Sequence, residues 1–115
     1  MSKHGIYENP KKSAYSIEYY DSTWEHEYMH ELEADDTVMK WTKNHMIRIP
    51  YFDDENKYRY YNPDFLVERS NAMIELIEMK STQMLKTPNT KRKMEYAQKW
   101  CKARGIQYRL ISKYQ

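Results

Sequence analysis

The chain has 115 residues, 40% hydrophobic and 31% charged, with two Gly and four Pro, so its composition excludes a disordered or low-complexity segment and suits one core in one domain. A net charge of +2 says little by itself, and the lone Cys101 excludes a disulfide framework within the chain and fits a reducing compartment. Twelve Tyr, three Trp and eight Met must supply much of the packing.

In chain order, residues 1–20 lack clean periodicity and read as an N-terminal arm with at most one ordered segment. "DSTWEHEYMHELEADD" reads as a helix, with Asp21, Ser22 or Thr23 as its cap and acids in its early turns. "MIRIPY" reads as a short strand, "DDEN" as a turn, and "KYRYYNPDFLVE" as a longer strand interrupted by Pro63. "RSNA" turns the chain into the strand "MIELIEMK". "NTKRKMEYAQKWCKARG" is a helix capped by Asn89 or Thr90 and ended at Gly105, and "IQYRLIS" is the last strand. The expected order is helix, three strands, helix, strand: an α/β fold in which three strands form a meander and the second helix returns the fourth to the same sheet.

Charge is divided along the chain. Asp21 to Asp36 holds seven acids and no Lys or Arg, whereas Lys86 to Arg104 holds seven bases and one acid, Glu95. Two solvated faces account for such runs, and so does a protein that grips a polyanion and holds a cation elsewhere.

"HEYMH" within the first helix matches HExxH, which zinc peptidases carry on a helix. At about 100° per residue, Trp24, Tyr28, Met29 and Leu32 share the core face, and His26 and His30 project toward solvent, so the zinc reading is the weaker one. Glu25 falls inside the apolar arc. A carboxylate there needs a cation or donors to meet it, unless it snorkels to the edge of the sheet.

"NPDFLV" puts Asp64 after the strand-breaking Pro63, and "MIELIEMK" puts Glu78 and Lys80 on one strand face, with Ile77 and Met79 on the other. Across the "RSNA" turn, Asp64 and Glu78 can converge. Two close carboxylates repel unless a divalent cation lies between them, and oxygen ligands favour Mg²⁺ or Mn²⁺. An adjacent Lys can orient water or offset charge on a phosphate, which is the equipment for phosphodiester hydrolysis. Glu75 is rejected as the partner because its odd spacing from Lys80 puts it on the opposite face.

"NPDFLV…IELIEMK" resembles the PD-(D/E)xK nuclease signature, whose common core is αβββαβ: a restriction-endonuclease-like, four-stranded mixed sheet flanked by helices. From about Ser22 to Ser112, "STWEHEYMHELEADDTVMKW", "IPY", "YRYYNPDF", "IEMKSTQ" and "GIQYRLIS" resemble the head-completion nucleases of tailed phages and, more loosely, the TnsA-like endonuclease subunits of cut-and-paste transposons. The resemblance implies a nuclease domain over residues 21–115, and a Mg²⁺-dependent (or Mn²⁺-dependent) DNA endonuclease. It maps catalytic roles onto Glu25, Asp64, Glu78 and Lys80, with metal held by Asp64, Glu78, the Met79 carbonyl and Glu25 through water, and Gln83 as an accessory. Lys86, Lys91, Arg92, Lys93 and Lys99 are expected on DNA phosphates; Tyr60 and Tyr61 read equally as rings that stack on a base or sugar and as one core and one exposed strand residue. The chain is shorter than those nucleases and has no evident further DNA-binding segment, so little sequence specificity is expected. A non-catalytic DNA-binding protein of virion assembly, and a junction resolvase acting as a homodimer, are the competing readings; virion or transposition proteins are the expected partners. With no signal peptide, lipidation motif or membrane-length apolar run, the expected place is cytoplasmic, in the host or in a virion.

Overall fold

The structure, a computed structural model, describes residues 3–113. It runs through a hairpin of β1 (Gly5–Glu8) and β2 (Ile17–Tyr20), helix α1 (Thr23–Ala34), β3 (Val38–Thr42), a second hairpin of β4 (Ile49–Phe52) and β5 (Tyr58–Tyr61), β6 (Phe65–Arg69), β7 (Ile74–Ser81), a 3₁₀ turn at Met84–Lys86, helix α2 (Pro88–Ala103) and β8 (Gln107–Lys113). The main sheet has the order β3-β6-β7-β8. Its first three strands are antiparallel and β8 runs parallel to β7, a pairing that requires the α2 crossover. Setting the two hairpins aside, the order is the expected αβββαβ.

Each helix is closed by local chemistry. Ser22 caps α1: its Oγ accepts from Glu25 N at 3.1 Å, and Glu25 Oε1 accepts in return from Asp21 N at 2.8 Å. This is a variant of the capping box, and the cap is worth about 1 kcal/mol. Thr87 caps α2, two or three residues ahead of the expected Asn89 or Thr90, with Pro88 in the first turn where no N–H is needed. Past its end Gly105 takes φ +69, and Ile106 N and Gly105 N reach back to Cys101 O (3.0 Å) and Lys102 O (3.4 Å). That paired return is a Schellman ending, and glycine enters the left-handed region without steric cost.

The sheet is packed on both faces. Met29 and Leu32 of α1 meet Val38, Trp41, Phe65, Val67, Ile77 and Met79 on one side. Ala97 and Cys101 of α2 meet Leu76, Ile49, Tyr51 and Tyr61 on the other. Period-2 alternation along β7 therefore turns Ile77 and Met79 to α1, and Leu76, Glu78 and Lys80 to α2.

The first strand of the sheet is not the expected one. "MIRIPY" contributes β4, which pairs only with β5 in a separate hairpin, and the sheet's outer strand is β3, read from sequence as no element. The register slips between Val38 and Lys40, so buried Val38 and Trp41 share a face at a spacing of three, which hides the strand's alternation. The stretch read as an arm carries β1 and β2, whose Tyr7 and Tyr20 pack on the α1 core. Among the described residues, no helix is long and apolar enough to cross a membrane.

Candidate active site

Pro63 makes the site by interrupting the chain between two sheets. β5 ends at Tyr61 in the hairpin, and β6 starts at Phe65 in the main sheet. At the seam Asp64 N donates to Ile77 O (2.9 Å), while Asp64 Oδ2 accepts from Met79 N (2.8 Å). A side chain thus serves as the last rung where β6 runs out.

Glu78 is buried on the α2 side of β7. Its Oε2 lies 3.6 Å from Lys80 Nζ, and its Oε1 is buried with no hydrogen-bond partner. Burial first, and then the Asp64 charge, push the Glu78 carboxyl well up from its ordinary value, with Lys80 partly offsetting them. Asp64 is also pushed up, chiefly by burial; the Met79 N–H pulls back and Glu25 pushes further. The two carboxyls are close enough for the Asp64 charge to act on Glu78, and one proton or one cation relieves the pair.

Tyr61, expected on DNA, is instead 5% exposed. Its hydroxyl lies 3.0 Å from that of Tyr108 and beside Glu78, and burial raises its pKa. Lys93 Nζ stands 5.5 Å from the centre of the Tyr61 ring. Burial, and then Lys80, lower the Lys93 pKa against the opposing pull of Glu78 and Asp64, so this lysine lies within reach of their charge. Its position four residues before buried Ala97 was the sequence cue: a lysine on the apolar stripe of a helix.

Glu25 reaches the site from the other face. It is buried, bonded to Asp21 N and to Lys43 Nζ at 2.5 Å, and close enough to Asp64 to act on its charge. Lys43 was not anticipated. Burial would lower its pKa, but Glu25, Asp64 and Asp21 outweigh that and raise it. Its backbone N–H donates to the buried Glu18 Oε1 at 3.0 Å, so the β1–β2 hairpin positions Lys43, which in turn holds Glu25. His45 braces the seam: Nδ1 accepts from Ile47 N (3.0 Å), leaving Nε2 to donate to Pro63 O (2.6 Å) across a Met46 at φ +60. An open cleft of about 290 Å³ beside Asp64 is bounded by Lys43, His45 and Asn62.

The remaining expected residues lie outside this cluster. Lys86, Lys91, Arg92 and Lys99 are exposed, as is Gln83 ahead of the 3₁₀ turn. Glu75 faces α1 and is held by Arg69 at 2.8 Å. His26 does not project into solvent as expected: it stacks on Tyr20, ring centres 4.1 Å apart, with His30 4.9 Å away. Among the described residues no third ligand joins the two histidines within 4.8 Å, which a zinc site would need.

Asp64 and Glu78 fit a divalent cation. They are two hard-oxygen donors, Glu78 buried and Asp64 half-buried, and one Glu78 oxygen has nothing else to bind. Glu25, Asp64 and Glu78 do not bring ligand atoms all within 4.8 Å of one another. Among the described residues the one triad that close, Asp53, Asp54 and Glu55, fits less well. Asp53 already accepts from Glu55 N, Lys57 N and Arg59 Nε, which is turn chemistry.

A family model described as TnsA-like endonuclease N terminal matches residues 35–113. The matched segment holds every strand of the main sheet, Asp64, Glu78, Lys80 and α2, and leaves out Glu25. No curated protein matches the chain.

Proposed function

Because the chain belongs to the family of TnsA-like endonuclease N-terminal domains, we propose that it hydrolyses DNA phosphodiester bonds with Mg²⁺, or Mn²⁺ in its place, bound at the seam. One observation carries this reading: the buried Glu78 carboxyl and the half-buried Asp64 carboxyl converge beside Lys80 with a Glu78 oxygen unpartnered. Asp64, Glu78 and the Met79 carbonyl hold the cation, with Glu25 acting through water, and the bound cation supplies Lewis-acid stabilisation of phosphate charge. Lys80 orients the attacking water by hydrogen bonding. Lys93 offsets charge on a non-bridging phosphate oxygen from the Tyr61 side. Lys86, Lys91, Arg92 and Lys99 neutralise backbone phosphates, so binding is salt-sensitive and largely indifferent to sequence. The family match supports the endonuclease part of this reading.

Supercoiled plasmid incubated with the protein and Mg²⁺ tests this directly. The expected result is nicked or linear product that disappears with EDTA and in both Asp64→Ala and Lys80→Ala. Undiminished cutting in both variants, or no cutting with either cation, removes the assignment and leaves a DNA-binding protein of nuclease fold.

A further inference from the structure

The β4–β5 hairpin has two unlike faces. Ile49, Tyr51 and Tyr61 pack toward α2 and stabilise it. On the other face Pro50 pairs with Tyr60 and Phe52 with Tyr58, and cross-strand partners point the same way. Phe52, Tyr58 and Tyr60 are 41%, 57% and 49% exposed. Their ring centres follow one another at 5.4 and 5.5 Å, and the Arg48 guanidinium lies 4.1 Å from the centre of the Tyr60 ring. The hairpin's inner face already supplies its core contacts, so packing does not account for three aromatic rings in a row facing water.

The row is continuous with the site. Tyr60 is four residues before Asp64, a separation of at most ~14 Å and thus within a few nucleotides of the seam. Arg48 lies at the Asp64 end of the row, and the tip carries exposed Asp54 and Glu55 against one exposed base, Lys57. A nucleic-acid strand is therefore favoured at the Arg48 end over the tip. Aromatic rings stack only on bases whose faces are free, which a continuous duplex hides.

We propose that this outer face is a stacking platform for unpaired nucleotides next to the scissile phosphate, with Arg48 on a phosphate. The substrate class is then duplex DNA carrying a single-stranded or splayed segment. The proposal rests on the nuclease reading, and its test reads binding, not cleavage.

Fluorescence anisotropy, with Ca²⁺ in place of Mg²⁺, compares three labelled DNAs with equal numbers of phosphates: a blunt duplex, a duplex with a single-stranded extension, and the same extension made abasic. The wild-type protein is expected to bind the base-bearing extension at least about fivefold more tightly than the other two. The Phe52→Ala/Tyr58→Ala/Tyr60→Ala variant loses that preference and keeps its blunt-duplex affinity, while Tyr58→Phe/Tyr60→Phe retains the preference. Arg48→Ala weakens binding and shallows the salt dependence by about one phosphate contact. An abasic extension bound as tightly as the base-bearing one overturns the platform, as does a triple-Ala variant that matches the wild-type protein on all three DNAs (the result if the rings dock a protein). In both cases plasmid cutting still upholds the nuclease reading. Failure to bind any of the three DNAs overturns both.

Discussion

The Met79 N–H donates to Asp64 Oδ2 at 2.8 Å across the point where β6 and β7 cease to pair. The backbone therefore fixes the carboxylate, because the preceding Pro63 ends the strand and a side-chain oxygen takes over the next rung. Asparagine at 64 keeps an acceptor for Met79 and removes the charge. Asp64→Asn is expected to fold and to lose plasmid nicking by at least ~100-fold, since loss of a partner merely behind a ligand already costs 10–100-fold. Thermal melting beside the nicking assay checks both halves, and a folded variant with a near wild-type rate removes Asp64 from the chemistry.

The same pair predicts an unusual pH dependence. Glu78 and Asp64 both hold protons more tightly in the folded protein than in the unfolded chain, mainly through burial. Folded molecules then bind more protons than unfolded ones between the ordinary carboxylate range and the raised values, so this contribution falls as pH rises through that window. Asp35, held low by hydrogen bonds from Thr37, and Asp53, held low by Arg59, act in the opposite sense, and their contribution is lost as pH falls below the ordinary range. Comparison with Asp64→Asn isolates the pair. In EDTA, the Tm of the variant is expected to gain on the wild-type protein from about pH 5 to about pH 8. Mn²⁺ should raise the wild-type Tm and leave the variant's nearly unmoved; parallel melting curves in both media would show that the two carboxyls neither couple nor share a cation.

Glu25 has a structural duty as well as a proposed catalytic one, and the two can be separated. Lys43→Met leaves the Glu25 charge enclosed with only Asp21 N for company. The expected cost is about 2 kcal/mol, less than the ~3–5 of a fully enclosed pair, because each side chain keeps some contact with water. Adding Glu25→Gln removes the stranded charge and retains the acceptor for Asp21 N, so the double variant should be more stable than Lys43→Met alone. Urea unfolding of the four proteins measures this, and strict additivity would mean that the 2.5 Å contact carries no coupling.

Legibility of the sequence followed the range of each signal. Both helices, β7 and β8 announce themselves locally, through caps, a helix-ending glycine and apolar runs. Asp64, Glu78 and Lys80 were readable because Pro63 marks the seam and period-2 alternation fixes the face of β7. β3 was hidden by its register slip, which erases alternation within five residues. Tyr60 and Tyr61 were both readable as candidates for DNA, but which ring faces inward depends on how the hairpin leans on α2, and that is a tertiary fact. Lys43 had no local sign at all, since its role comes from Glu18 and Glu25, distant in sequence and brought to it by the β1–β2 hairpin and α1.

Lys93 and Lys99 lie on the same basic helix and are expected to fail differently. Lys93 is half-buried beside Tyr61 and the two carboxyls, whereas Lys99 is exposed on another face. A lysine that acts only on the DNA backbone contributes through counterion release, so Lys99→Ala should weaken binding and reduce the slope of log K against log salt by about one, with kcat unchanged at saturating DNA. A lysine aimed at the reacting phosphate acts more strongly in the transition state than in the bound ground state, and Lys93→Ala should lower kcat itself. Lys93→Arg keeps the charge but changes its shape in a confined place, and it should recover binding better than turnover. Single-turnover cleavage at saturating protein, with anisotropy titrations at several salt concentrations, measures the two quantities separately. If both alanine variants change only the salt slope, Lys93 is one more backbone contact, and the assignment of a second lysine to the site is withdrawn.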